Sequence, residues 1–63
     1  MSELIQGKLY KLTTYLRINN IQFRKGDLVV YIEEHKQYVN SHWVLLPNGQ
    51  RQSVWSGHLE EIK

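Results

Sequence analysis

The sequence predicts a small all-β domain, and three features lead to that prediction. Nineteen of the 63 residues are β-branched or aromatic, the types that suit a pleated, half-buried surface. Alanine, the best helix former, is missing altogether. The strongest local pattern is the turn Pro47-Asn48-Gly49-Gln50, which lies between two stretches with strand character. We therefore expect a single domain over residues 1–63, built from short strands.

The length and the cysteine count limit what the domain contains. A domain of roughly 60 residues buries only about 60% of the surface that its unfolded chain exposes, too small a core for a large cofactor. The sequence has no cysteine, which excludes disulfides and cysteine-based zinc sites and fits a reducing compartment. Its longest apolar stretch, residues 28–32, is too short to span a membrane, and its start lacks the pattern of a secretory leader. We expect a cytoplasmic protein, or one of the host cytoplasm if the chain is viral.

The pattern along the chain predicts five strands. Between the first two, residues 13–22 form a long early loop, in which Asn19 and Asn20 are the clearest turn signal because asparagine tolerates positive φ. Residues 56–58 leave room for one 3₁₀ turn before the last strand. Closing the strands into a barrel would leave no unpaired edge. The predicted fold is a five-stranded closed barrel with strands at residues 7–12, 28–33, 38–46, 51–55 and 59–62.

The order of these landmarks resembles that of an SH3 domain over almost the whole chain. Residues 8–10 (KLY) resemble the start of the family's Ala-Leu-Tyr-Asp-Tyr motif, and residues 21–27 (IQFRKGD) resemble its diverging turn. Trp43 stands at the first position of the family's Trp-Trp pair, and residues 48–49 stand at its distal hairpin. Residues 54–62 resemble the closing segment of the family. The resemblance implies an SH3-like barrel.

SH3 domains bind polyproline-II ligands between aromatic rings, and acidic loop residues hold a basic side chain of the ligand. At the family's ligand-binding positions, this chain has Leu12 for the second motif tyrosine, Trp55 for the proline and His58 for the last tyrosine. The loop at residues 13–22 contains no acid and one base, Arg17. These departures argue against the family's usual basic, proline-rich ligand.

Aromatic residues are the best candidates for a binding surface, because tryptophan and tyrosine often anchor interfaces. The SH3 comparison places Tyr10, Trp43 and Trp55 on one exposed groove face, whereas Phe23 is expected in the core. Alternatively, one tryptophan caps the open end of the barrel. We predict a non-enzymatic module, or a small inhibitor, that engages a protein partner. The expected partner-binding residues are Tyr10, Tyr15, Arg17, Trp43, Trp55 and His58.

Nucleic-acid binding is the alternative function. The net charge is +2 and the pI about 9.1, with +4 in residues 1–26 and −2 in residues 27–63. Aromatic rings would stack on bases while basic side chains hold phosphates. The acids at residues 33–34 and 60–61 would repel a long phosphate backbone, so a protein partner is preferred. The possible nucleic-acid contacts are Lys11, Arg17, Arg24 and Lys25.

The remaining polar residues give no pattern for catalysis or for a metal. The histidines His35, His42 and His58 lack the spacing of paired ligands. Residues 56–58 (SGH) place a serine near a histidine without a nucleophile elbow or an orienting acid. We therefore expect no enzymatic activity, no metal and no cofactor. Free-standing domains of this kind are often phage or bacterial accessory proteins, so the resemblance implies such an origin for this chain. The oligomeric state is left open.

Overall fold

The computed structural model describes residues 4–62, which form an all-β structure. The expected strand composition is confirmed, because the only helical element among these residues is a three-residue 3₁₀ turn, Ser56–His58, at the predicted place. No helix in this part of the chain is long and apolar enough to cross a membrane. The seven strands of residues 4–62 are β1 (Leu9–Leu12), β2 (Leu16–Ile18), β3 (Ile21–Phe23), β4 (Leu28–Glu34), β5 (Ser41–Leu45), β6 (Arg51–Trp55) and β7 (Leu59–Glu61).

Five of the described strands form one antiparallel sheet in the order β6-β5-β4-β1-β7, and β2 and β3 form a separate two-stranded sheet. The longest strand, β4, lies at the centre of the large sheet, as its two apolar faces predict. Its pairing with β5 shifts between Tyr31 and Glu33. Such a bulge bends the strand and increases its twist.

The large sheet is curled but does not close, so the predicted closed five-stranded barrel is wrong. A flat sheet of this order would hold its two edges, β6 and β7, about 19 Å apart. The 3₁₀ turn that joins them rises only about 2 Å per residue. The sheet must therefore curl to bring the end of β6 near the start of β7. Within residues 4–62, β6 pairs only with β5, and β7 pairs only with β1.

The predicted long early loop is a hairpin formed by β2 and β3. Asn19 and Asn20 both have positive φ, at 50° and 66°, and Ile18 pairs with Ile21 on either side of them. Two consecutive residues with positive φ are typical of the type I′ turn, whose twist suits a two-residue hairpin. The turn signal was correct, but the strands beside it were missed because each has only three residues.

The tight turn between β5 and β6 is confirmed. The Gly49 N–H donates to the Leu46 carbonyl at 2.9 Å, and the Leu46 N–H donates to the Gln50 carbonyl at 2.8 Å. Gly49 has φ +89°, whereas Pro47 and Asn48 do not have positive φ. A β-turn followed by a left-handed residue is the usual three-residue hairpin loop. It fixes the β5–β6 register, in which Trp43 pairs with Ser53.

The core lies on the concave face of the curled sheet. Alternation along β1 directs Tyr10 and Leu12 inwards, and alternation along β4 does the same for Val29 and Tyr31. Phe23 is buried, as predicted, and closes this core from the β2–β3 hairpin. The eight buried side chains of the described residues are Tyr10, Leu12, Phe23, Val29, Tyr31, Val44, Leu46 and Val54.

Candidate functional site

An open cleft of about 260 Å³ lies between the β2–β3 hairpin and the β6 edge of the large sheet. One wall comes from β2, and the other comes from β6 and the 3₁₀ turn. Its lining residues are Leu16, Arg17, Ile18, Gln52, Ser53, Val54, Trp55 and His58.

Trp55 is the most exposed large ring of the cleft, with 56% of its surface accessible. Its indole lies directly over Gly57, because a Cβ atom built on Gly57 would collide with Trp55 Cζ3. Real Cβ atoms do not approach other atoms this closely, so any other residue at position 57 would displace the ring. The glycine thus lets an exposed tryptophan lie flat at the cleft rather than project freely into solvent.

His58 supports Trp55 from the side. The two rings meet edge to face, with their centroids 5.6 Å apart and their planes at 86°. His58 Nδ1 is buried and has no hydrogen-bond partner among residues 4–62. The position of the ring is therefore set by packing against Trp55. The backbone below is held by Thr13, whose N–H donates to the His58 carbonyl and whose hydroxyl donates to the Gly57 carbonyl, both at 2.9 Å.

The structure places Trp43 and Trp55 on one face of the β5–β6 ladder. Trp43 pairs directly with Ser53, and Ser53 and Trp55 are two residues apart on β6. Directly paired residues share a face of the sheet, as do residues two apart on a strand. This arrangement agrees with the expectation of a shared face, but only Trp55 lines the cleft.

The ring of Trp43 is already covered by its own chain. His35 stacks on it at a centroid distance of 5.1 Å and an interplanar angle of 19°. The Arg51 guanidinium carbon lies 5.5 Å from the centre of the same ring, and Arg51 Nη2 is 3.6 Å from Glu33 Oε2. The ring of Tyr38 packs in turn against the ring of His35, with their centroids 4.9 Å apart. Trp43 therefore ties the loop between β4 and β5 to the sheet and presents less free surface than Trp55.

Tyr10 is not on an exposed face, contrary to the expectation. Its accessible surface is 0%, because β1 alternation directs it into the core. Its hydroxyl accepts a hydrogen bond from the Ile5 N–H at 2.7 Å, and its ring meets that of Tyr31 edge to face at 6.2 Å. Tyr15 is 65% exposed at the base of the hairpin, outside the residues that line the cleft.

The four basic residues proposed for nucleic-acid contact lie on different elements. Arg17 lines the cleft on β2, whereas Arg24 and Lys25 are exposed in the turn before β4. Lys11 is on β1, where it pairs directly with Glu60 of β7. Cross-strand neighbours have their Cβ atoms about 5 Å apart, so Lys11 has a carboxylate residue beside it on the same face of the sheet.

A second concavity, of about 310 Å³, is formed by residues 34–42, the loop between β4 and β5. All of its lining residues come from one continuous stretch, so it reflects the local curl of that loop. It contains neither tryptophan, and its lining is the loop together with the adjoining ends of β4 and β5. The cleft between β2 and β6 is the better candidate because two separate elements and the exposed indole meet there.

The two buried tyrosines of the described core, Tyr10 and Tyr31, do not line the cleft. Tyr31 donates to or accepts from His42 Nδ1 at 3.1 Å. Burial raises the pKa of Tyr31 above its usual value, and the negative charge of Glu34 raises it further. No three His, Asp or Glu side chains within residues 4–62 lie close enough together to hold a metal ion.

Sequence reasoning found three of the cleft residues, Arg17, Trp55 and His58, and missed the apolar ones. Leu16 and Ile18 would have emerged had the pattern around Asn19 and Asn20 been interpreted as a two-residue hairpin. The β6 contribution follows only from the three-dimensional position of that strand.

Comparison with known proteins adds no name to this site, since no protein-family model, no curated protein and no solved structure matches the chain.

Proposed function

We propose that this chain is a non-enzymatic binding module of SH3-like topology that engages a protein partner in the cleft between β2 and β6. The tight hairpin between β5 and β6, the single 3₁₀ turn and the long segment between β1 and β4 support the comparison with SH3 domains. The curled sheet provides the support, and the cleft provides the contact surface.

One observation carries the proposal: an exposed indole is held in place at the mouth of a cleft that has an apolar wall. Tryptophan is among the residues that most often dominate binding energy, and its rigid ring loses little conformational entropy on binding. Trp55 is already positioned by Gly57 and His58, so a partner meets a preorganised anchor. Leu16 and Ile18 supply an apolar wall for the side chain that packs beside it.

Protein binding is favoured over nucleic-acid binding by what the other aromatic residues do. Stacking of successive bases requires several free ring faces. Tyr10 is buried, and Trp43 is covered by His35 and Arg51. Trp55 has Gly57 beneath one face. Tyr15 and Tyr38 are exposed but lie outside the cleft, so Trp55 is the one exposed large ring that lines it. One such ring beside dispersed basic residues suits an anchor in a protein interface better than a stacking platform.

The test is selection of a random dodecapeptide library on the immobilised protein, followed by affinity measurement on variants. We expect enriched peptides whose affinity falls at least about 30-fold with Trp55→Ala, the effect of a 2 kcal/mol hot spot, and less than about threefold with Trp43→Ala. Both variants remove one indole from the same sheet face, so Trp43→Ala is the matched control. Equal losses for the two variants, or no enriched peptide, would refute the proposal.

An oligonucleotide arm distinguishes the alternative. Binding of single- or double-stranded oligonucleotides at about 50 mM salt that disappears by about 200 mM would favour the nucleic-acid function. We expect no such binding. If oligonucleotides did bind, and Arg24→Gln or Lys25→Gln abolished that binding while Trp55→Ala did not change it, the turn before β4 would be the contact surface.

A further inference from the structure

Within residues 4–62, strand β6 has one hydrogen-bonded edge and one free edge, and the free edge runs along the cleft. At the end of the paired edge, the Ser56 N–H donates to the Asn40 carbonyl at 2.8 Å. In an antiparallel ladder the hydrogen-bonded pairs recur at every second residue. Gln52 and Val54 therefore direct their backbone groups towards β5. The alternate residues of β6 direct theirs towards the free edge.

The backbone N–H groups of Arg51, Ser53 and Trp55 thus face the cleft side. Across residues 4–62, the contact made at this edge is a side-chain one: Gln52 Nε2 donates to the Ser53 carbonyl at 3.2 Å. The side-chain amide of Gln52 therefore occupies the position from which a backbone N–H of an added strand would donate to the Ser53 carbonyl. An unpaired strand edge is a template for pairing with another chain.

The charge of the cleft is one-sided. Among its eight lining residues in the described part of the chain, Arg17 is the one permanently charged residue, and none is acidic. Leu16, Ile18 and Val54 are apolar. A ligand that carries a carboxylate would therefore meet only positive charge, whereas a lysine or arginine would meet no counter-charge.

We propose that the cleft binds an extended peptide segment that has apolar side chains and at least one carboxylate, and that the peptide adds to β6 as a sixth strand of the sheet. This inference rests on the proposed function and names the occupant of the same site. From Arg51 to Trp55, β6 extends about 13 Å, so a five-residue stretch of the peptide covers the edge. Backbone hydrogen bonds supply affinity, while Trp55 and Arg17 select the side chains.

Charge selection is tested with two synthetic alternating peptides, one of glutamate and valine and one of lysine and valine. We expect the acidic peptide to bind and the basic one not to bind. Arg17→Gln should weaken the acidic peptide about three- to fivefold, the effect of one exposed ion pair, and Arg24→Gln, an exposed base outside the cleft, should not. Equal binding of the two peptides, or insensitivity to Arg17→Gln, would overturn the charge assignment.

Strand addition is tested by amide hydrogen exchange of the protein with and without the acidic peptide. The Ser53 and Trp55 amides should exchange at least about tenfold more slowly in the complex, while those of Gln52 and Val54, already bonded to β5, should change little. Two further peptides carry N-methyl groups on every second backbone nitrogen, in the two alternate sets. Methylation of the set whose N–H groups face β6 should abolish binding, and methylation of the other set should preserve it.

The outcomes separate the two proposals. Binding that depends on Trp55 but lacks the alternating protection would leave the protein-binding function intact and refute strand addition. Peptide binding that is indifferent to Trp55→Ala would refute both. Protection of the Ser53 and Trp55 amides without peptide, accompanied by a dimer in analytical ultracentrifugation, would assign the edge to a second copy of the chain and overturn the inference.

Discussion

Strands β1, β4 and β5 are hydrogen-bonded on both edges, whereas β6 and β7 each have one edge that no other described strand pairs with. The free side of β6 borders the cleft. We call the first group the closed side and the β2–β6 cleft the open side. The two tryptophans lie one on each. Trp43 of β5 is covered by its own chain, and Trp55 of β6 is exposed over Gly57. The same residue type on one sheet face is thus covered by its own chain in one place and exposed in the other.

The largest expected effect belongs to the closed side. Tyr10→Ala should lower the free energy of unfolding by about 3–5 kcal/mol, because it removes a fully buried aromatic ring. Trp55→Ala should cost less than about 1 kcal/mol, since its ring is largely exposed. Urea unfolding measures both.

Tyr10→Phe keeps the comparison testable if the alanine variant does not fold. Removing only the hydroxyl that accepts from the Ile5 N–H should cost about 1 kcal/mol and leave peptide affinity unchanged. A Tyr10→Phe protein with normal stability and impaired binding would show that the tyrosine belongs to the binding surface after all.

Substitutions at two glycines are expected to have different effects, one on stability and the other on peptide binding. Gly49→Ala should cost about 1–2 kcal/mol of stability, because φ +89° is unfavourable for a residue with a Cβ, and should leave peptide affinity unchanged. Gly57→Ala should instead displace the Trp55 ring and weaken peptide binding about tenfold. Unfolding curves and peptide titrations on both variants decide the matter. Wild-type affinity in Gly57→Ala would mean that the ring position does not matter for binding.

Fluorescence quenching measures the difference between the tryptophans directly. In the single-tryptophan variants Trp43→Phe and Trp55→Phe, acrylamide should quench Trp55 several times more effectively than Trp43, because Trp43 is partly buried under His35 and Arg51. Similar quenching constants for the two variants would remove the contrast on which the choice of the open side depends.

The smallest expected effect is a loss of folding stability at alkaline pH, and it concerns the closed side alone. Burial raises the pKa of Tyr31, so the unfolded chain releases its phenolic proton at lower pH than the folded chain does. Stability should be unaffected by this group below about pH 10, its ordinary pKa, and should fall as the pH rises through the higher folded value. Tyr31→Phe should flatten that decline in urea unfolding, whereas Tyr15→Phe, an exposed tyrosine, should not.

The sequence predicted the fold class and its turns better than the closure of the sheet. Local signals carry the turns: Gly49 and the Asn19-Asn20 pair have the positive φ values that their residue types favour. Closure depends on whether β6 meets another strand, which is a matter of distant pairing and leaves no local pattern. The assumption that every edge is paired led to the predicted barrel.

Part of the site could be predicted for the same reason. Trp55, His58 and Arg17 stand out by residue type, and they do lie together. Tyr10 stands out equally by type, but its environment is decided by alternation along β1, which places it beside Leu12 in the core. The aromatic residues were expected on one face, yet burial and neighbours divide them into a core ring, a covered ring and an exposed ring.

The central claim is that partners bind on the open side. It is tested most directly by mapping amide chemical-shift changes when a library-selected peptide is titrated into the labelled protein. We expect the largest changes in residues 16–18 and 52–58, with the Trp55 indole N–H among them. Changes concentrated instead in residues 34–43, around Trp43, would contradict this account.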